Sequence, residues 1–150
     1  MRFRIIILSV ACVVLFNFCG RQGKTSDISA APQTVTEPVR VIFDTDLGND
    51  IDDVLALQML INYHRKGEIN LLGITISKAN PLTVEYIDGF CNYNSLPDFD
   101  LGYVYDGVTP EEGNYLRPTL DATYAGEKVL HPRRSLADSI PVAYKMIRKI

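Results

Sequence analysis

From Val39 onward the spacing of apolar residues changes character block by block. VRVIF, residues 39–43, is a β-rich apolar run that ends on an acidic turn, the pattern of a strand. Residues 52–65 place Val54, Leu55, Leu57, Leu60, Ile61 and Tyr63 or His64 at helical spacing, and Gly67 supplies a stop. INLLGITI, residues 69–76, is a second near-continuous apolar run, followed by a turn over residues 77–81. Residues 82–93 set Val84, Ile87, Phe90 and Cys91 on one helix face, and DLGYVY, residues 100–105, reads as a third, shorter strand. Residues 106–137 carry Gly, Pro and Asn throughout and read as loop. Residues 140–150 return to helical spacing through Val142, Tyr144 or Lys145, Met146, Ile147 and Ile150. Strand, helix, strand, helix, strand predicts an α/β fold with an open parallel sheet and flanking helices. Both strong strands are continuously apolar, as in strands covered on both faces. Right-handed crossovers put the second strand beside the first.

The start of the chain has a different pattern. Arg2 and Arg4 precede a fourteen-residue apolar run, residues 5–18, broken only by Ser9 and Asn17. That is short for a membrane span and right for the apolar core of a signal peptide. Residues 1–19 are therefore expected to be a signal peptide. The run ends at Cys19-Gly20 and resembles a bacterial lipoprotein signal, which implies lipidation of Cys19, although Phe18 is bulkier than such signals prefer. The alternative is plain secretion with cleavage near Ala30-Ala31. Either route places the protein in the cell envelope, with a lipid anchor as its only link to a membrane. Residues 20–38, rich in Ser, Thr, Gln, Gly, Ala and Pro, read as a flexible tether to a domain over residues 39–150. A three-stranded sheet has an unpaired edge, and the last helix runs to Ile150 without a cap. The expectation is that the chain is an N-terminal fragment of a longer protein.

Composition changes this picture little. A 47% apolar, 22% charged chain is globular, and a net charge of −3 argues against a nucleic-acid surface. The basic clusters at residues 131–134 and 145–149 read as a solvated loop and a helix face. Of three cysteines, Cys12 and Cys19 fall in the signal segment, leaving Cys91 as a buried apolar residue without a disulfide partner. His64 and His131 read as surface residues, and with so few Cys and His a zinc site is not expected.

The chemistry lies in the turn after the first strand. FDTDLGNDIDD holds Asp44, Asp46, Asp50, Asp52 and Asp53, five carboxylates in eleven residues. Like charges this close repel and resist ionisation when dry. Helix capping accounts for Asp50 or Asp52 taken singly, but not for Asp44 and Asp46 before the turn, nor for the whole cluster. A hard divalent cation accounts for the set, because Ca2+ or Mg2+ takes carboxylate oxygens, with Gly48 allowing a tight fold. In an open parallel sheet ligands bind beyond the carboxyl ends of the strands. Asp44 and Asp46 end the first strand, and residues 77–80, including Asn80, end the second, so both reach one edge. An EF-hand starting at Asp44 fails, because its sixth and twelfth positions are Asn49 and Leu55.

VIFDTDLGNDIDDVLAL resembles the N-terminal motif of the inosine-uridine-preferring nucleoside hydrolases: an apolar strand running into Asp-x-Asp-x-Gly, then an Asp-Asp pair opening a helix. LLGITISKAN, residues 71–80, is similar to that family's second strand, which ends in an Asn that touches ribose. The resemblance runs from about Val39 to the end of the chain. It implies a Rossmann-like sheet and Ca2+-dependent hydrolysis of the N-glycosidic bond of a ribonucleoside. By position it implies that Asp46 binds Ca2+ and acts as general base toward water, and that Asp53 is a second Ca2+ ligand. Asp52 and Asn80 would hold ribose hydroxyls, and Asp44 would orient the loop. This chain has two residues more before the pair than the shorter form of the motif, so Asp50 competes with Asp52 for the ribose. The helix register favours Asp52. The family's further Ca2+ ligands and leaving-group acid come from a C-terminal half not found here, so the 150 residues alone are expected to be inactive.

Two other readings compete. One is a non-catalytic envelope protein that keeps the acidic cup to bind a sugar or nucleoside. The other is a haloacid-dehalogenase-like, Mg2+-dependent phosphatase, which also opens on Asp-x-Asp. That family has Thr or Val where this chain has Gly48, and no Asp-Asp pair at the next helix. Base preference and self-association into a homo-oligomer stay open.

Overall fold

The computed structural model describes residues 37–96, 99–135 and 138–150. The chain divides into two units; the first, Met1–Val35, with the expected signal peptide, Cys19 and most of the tether, lies outside the described residues. The other unit, Thr36–Ile150, is mixed α/β. Its order is β1 (Val39–Thr45), α1 (Asp52–Arg65), β2 (Ile69–Ile76), α2 (Pro81–Tyr93), β3 (Asp100–Tyr103), α3 (Leu116–Asp121), β4 (Thr123–Tyr124), β5 (Glu127–Lys128) and α4 (Ala143–Lys149). β1, β2 and β3 form a parallel sheet in that order, and β4 and β5 form a small antiparallel hairpin.

β2 is the centre of the sheet. Leu71, Ile74 and Ile76 are buried, as its continuous apolar run requires. β1 differs from expectation: among the described residues it has a neighbour on one side only, and Arg40, Ile42 and Asp44 are exposed. It also runs two residues further than VRVIF, because Asp44 and Thr45 pair with Thr75 and Ile76. β3 stops at Tyr103, two residues early.

α1 buries Val54, Leu57 and Ile61, an i, i+3, i+7 stripe. Full burial of Leu57 and Ile61 contributes roughly 1.5–3 kcal/mol each. His64 is half-buried rather than on the surface. Its Nδ1 accepts the Leu71 amide at 3.3 Å, and its ring meets Phe99 edge-on at 5.9 Å. α2 opens with Pro81 at its first turn and Asn80 as N-cap. On the last helix only Met146 is buried. A Cβ at Gly73 or Gly102 would meet it at about 3 Å, so those two strand positions need glycine for the helix to approach. The helical spacing begins at Ile140, but Pro141 instead accepts the Tyr103 amide at 2.9 Å and Val142 bridges to Tyr103. The helix begins only after that strand-like contact.

The segment read as loop contains α3, anchored by buried Leu116 and Leu120, and the β4–β5 hairpin. Residues 131–134 are not simply solvated. Asp88 of α2 is fully buried and accepts the backbone amides of Arg133 and Arg134 and the Arg134 Nε at 2.7 Å. Arg134 Nη1 also donates to the Phe99 carbonyl at 2.8 Å. Cys91 is buried as read, and its thiol is pushed up to about 12 by burial first and by Asp88 second. No helix among the described residues is long and apolar enough to cross a membrane.

Candidate functional site

β1, β2 and β3 are parallel, so their carboxyl ends share one edge of the sheet. β1 delivers Asp44, Thr45 and the loop from Asp46 to Ile51; β2 delivers residues 77–80. The loop folds as it does because of Thr45 and two glycines. Buried Thr45 accepts the Leu47 amide on its Oγ1 at 3.1 Å, a turn of the kind Ser and Thr hydroxyls stabilise. Leu47 is fully buried and anchors the loop to the core. Gly48 takes φ +148, and a Cβ there would stand 3.0 Å from the Lys78 Cε. Gly113 (φ +80) crosses it so closely that a Cβ would fall 2.2 Å from the Gly48 carbonyl oxygen. Neither position accepts a side chain in this arrangement.

Asp46, Asp50, Asp52 and Asp53, with Asn49, line one polar cleft of about 190 Å³ at the start of α1. The N-cap of α1 is Ile51, and no side chain caps the helix. Asp50 therefore does not serve as a cap, while Asp52 and Asp53 lie in the first turn, where they complement the helix dipole. Asp53 is half-buried, and its carboxyl is held above the ordinary range, by burial first and then by Asp46, Asp52 and Asp50. A hydrogen bond with Thr45 works in the opposite direction. Four carboxylates are thus within electrostatic reach of one another, and one of them is partly dry.

Asp44 stands apart from the cleft. It accepts the Thr75 hydroxyl at 2.5 Å, which ties the ends of β1 and β2 together. Asn80 reaches the same sheet edge but does not line the cleft. Its Oδ1 accepts the Leu82 amide at 3.0 Å and its Nδ2 donates to the Pro110 carbonyl at 2.9 Å. Its side chain thus caps α2 and fixes the segment that crosses the acidic loop.

Three contributors were not anticipated. Thr45 joins the turn to Asp53. Lys78 is fully buried and pairs with Glu111 at 3.3 Å. The Glu111 carboxyl is held below its ordinary range by its own backbone amide first, then by Lys78, with Asn49 also contributing. Tyr115 donates its hydroxyl to the Asp50 carbonyl at 3.0 Å. Burial first, then Tyr86 and the nearby Asp53 and Asp52, push that phenol up, so it stays a donor.

The donor set suits a hard cation. It is all oxygen, it is strongly anionic, and it sits where a tight glycine turn exposes it. Among the described residues, no group of three or more His, Cys, Asp or Glu side chains converges closely enough to hold a metal ion. The carboxylates share a cleft without closing on one point.

Fold and site together define a mixed α/β protein with a three-stranded parallel sheet and an acidic cleft at its carboxyl edge. No family model matches the chain, and no solved structure matches it. A curated relative, an uncharacterized protein of Aquifex aeolicus (strain VF5), is 47% identical over 38 residues. That stretch covers 25% of this chain and 13% of the relative's length.

Proposed function

We propose that the chain is the N-terminal part of an exported nucleoside hydrolase, a Ca2+-dependent enzyme that splits a ribonucleoside into base and ribose. The supporting observation is the gathering of Asp46, Asp50, Asp52 and Asp53 in one cleft beyond the carboxyl end of a parallel strand. Asp46 and Asp53 are the proposed cation ligands. Held by Asp46 and Asp53, Ca2+ would supply Lewis-acid chemistry, polarising a nearby water so that its proton is more easily lost. Asp46 takes the water proton as general base. Asp52, with Asp50 as the competing candidate, accepts hydrogen bonds from ribose hydroxyls. The remaining negative charge favours the oxocarbenium-like state formed as the glycosidic bond breaks. Asn80 uses one amide hydrogen on Pro110 and one Oδ1 lone pair on Leu82, so the second of each is left for a ribose hydroxyl, the role proposed for it. Export to the bacterial envelope, with or without a lipid on Cys19, belongs to the same proposal.

Calorimetry on the full-length protein tests the metal assignment. Ca2+ is expected to bind, and Asp53→Ala is expected to weaken binding at least tenfold, since it removes a charged ligand. Parental affinity in that variant would reject Asp53 as a ligand.

A further inference from the structure

We propose that the segment from Thr109 to Tyr115 is a positioning strap for the acidic loop, closed by Lys78 and Glu111. The proposal deepens the reading above and rests on it for its catalytic meaning. The strap is tied at its first end to the end of β2: the Ala79 amide donates to the Thr109 carbonyl at 3.2 Å, and Asn80 Nδ2 to the Pro110 carbonyl. At its other end it grips three consecutive carbonyls of the acidic loop. The Asn114 amide donates to Gly48 at 2.7 Å, Asn114 Nδ2 to Asn49 at 3.2 Å, and the Tyr115 hydroxyl to Asp50 at 3.0 Å. Between the two ends lies Glu111, held by Lys78 Nζ at 3.3 Å.

Lys78 is the unusual element. Its side chain is fully buried, and its stem packs under Gly48, where a Cβ would meet Cε at 3.0 Å. Burying an ammonium is costly without a partner, and an apolar side chain would fill the space more cheaply. The charge secures Glu111, and through it the strap. A loop of mutually repelling carboxylates tends to spread. Fixing its carbonyls at residues 48, 49 and 50 holds Asp46, Asp50, Asp52 and Asp53 around one cleft. Lys78 and Glu111 act through the loop backbone, so they are positioning residues.

The test is amide hydrogen exchange, read residue by residue, on the full-length protein and on Lys78→Met and Glu111→Gln. Amides at residues 47–50 and 112–115 are expected to exchange about fivefold faster in both variants, the upper end for a pair with one exposed partner, while β2 and α2 keep parental rates. Ca2+ affinity is expected to fall by a similar factor. Unchanged exchange in the loop would overturn the proposal, as would uniform acceleration across the sheet and helices. Faster loop exchange with parental Ca2+ affinity would overturn the positioning role. If Lys78→Met does not fold, Glu111→Gln decides alone, since that side chain is 54% exposed. If the parent binds no Ca2+, the functional reading fails, and the exchange data still decide whether the strap holds the loop.

Discussion

Asp88→Ala is expected to destabilise the protein by about 3–5 kcal/mol, the range for breaking a buried ion pair from one side. Asp88 is fully buried on α2 and serves three donors: two consecutive backbone amides and the Arg134 guanidinium, which is itself 25% exposed. Alanine leaves all three without that acceptor in a region of low water access. It also frees the segment that packs Leu130 and Pro132 against Gly89, where an added Cβ would already be within 3.2–3.4 Å of them. Domains of this size have total stabilities of about 5–15 kcal/mol, so the loss is a large share. The midpoint of thermal unfolding should fall by roughly 10–25 °C. Asp88→Asn keeps the shape and one acceptor oxygen and should cost less. Thermal unfolding of the three proteins checks this; a fall of under 3 °C for Asp88→Ala would show that the carboxylate does not anchor residues 131–134.

Asp46→Asn is expected to lower turnover of a ribonucleoside by about 10²–10⁴-fold, the range for losing a general base, with a smaller change in KM. Asp46 is exposed and lines the same cleft as Asp53, which suits the proposed roles of cation ligand and base toward water. The amide keeps size and one oxygen but cannot take a proton. Asn80→Ala should behave differently. Its side chain caps α2 and holds Pro110, so its loss should cost about 1 kcal/mol of stability and act on the site through the strap and through the proposed ribose contact. Steady-state kinetics with inosine and uridine at saturating Ca2+ checks both, and near-parental turnover in Asp46→Asn would reject the base assignment.

The parts legible in the sequence are those whose causes are local. α1 and β2 have the boundaries their spacing predicts, because each ends on its own stop: Gly67 after α1, and a polar turn after β2. The acidic cluster is legible because its members are neighbours in the chain. β1 was read two residues short, since Asp44 and Thr45 look like turn residues and are held in the strand by β2. Lys78 reads as a solvated turn lysine; its burial depends on Gly48 and on a carboxylate thirty-three residues downstream. Asp88 did carry a signal. It stands in the same i, i+4, i+7 stripe as Val84 and Cys91, where an acid has no place unless something pairs with it. Leu116 and Leu120 likewise mark α3 by their spacing, obscured by the Gly, Asn and Pro around them.

Nucleoside hydrolysis is tested most directly by incubating the full-length protein with inosine and with uridine, and measuring free base and ribose by chromatography with Ca2+ and with chelator. Equal amounts of base and ribose are expected with Ca2+, and loss of both products with chelator. Absence of base release from every purine and pyrimidine nucleoside, with Ca2+ supplied in excess, would contradict nucleoside hydrolysis.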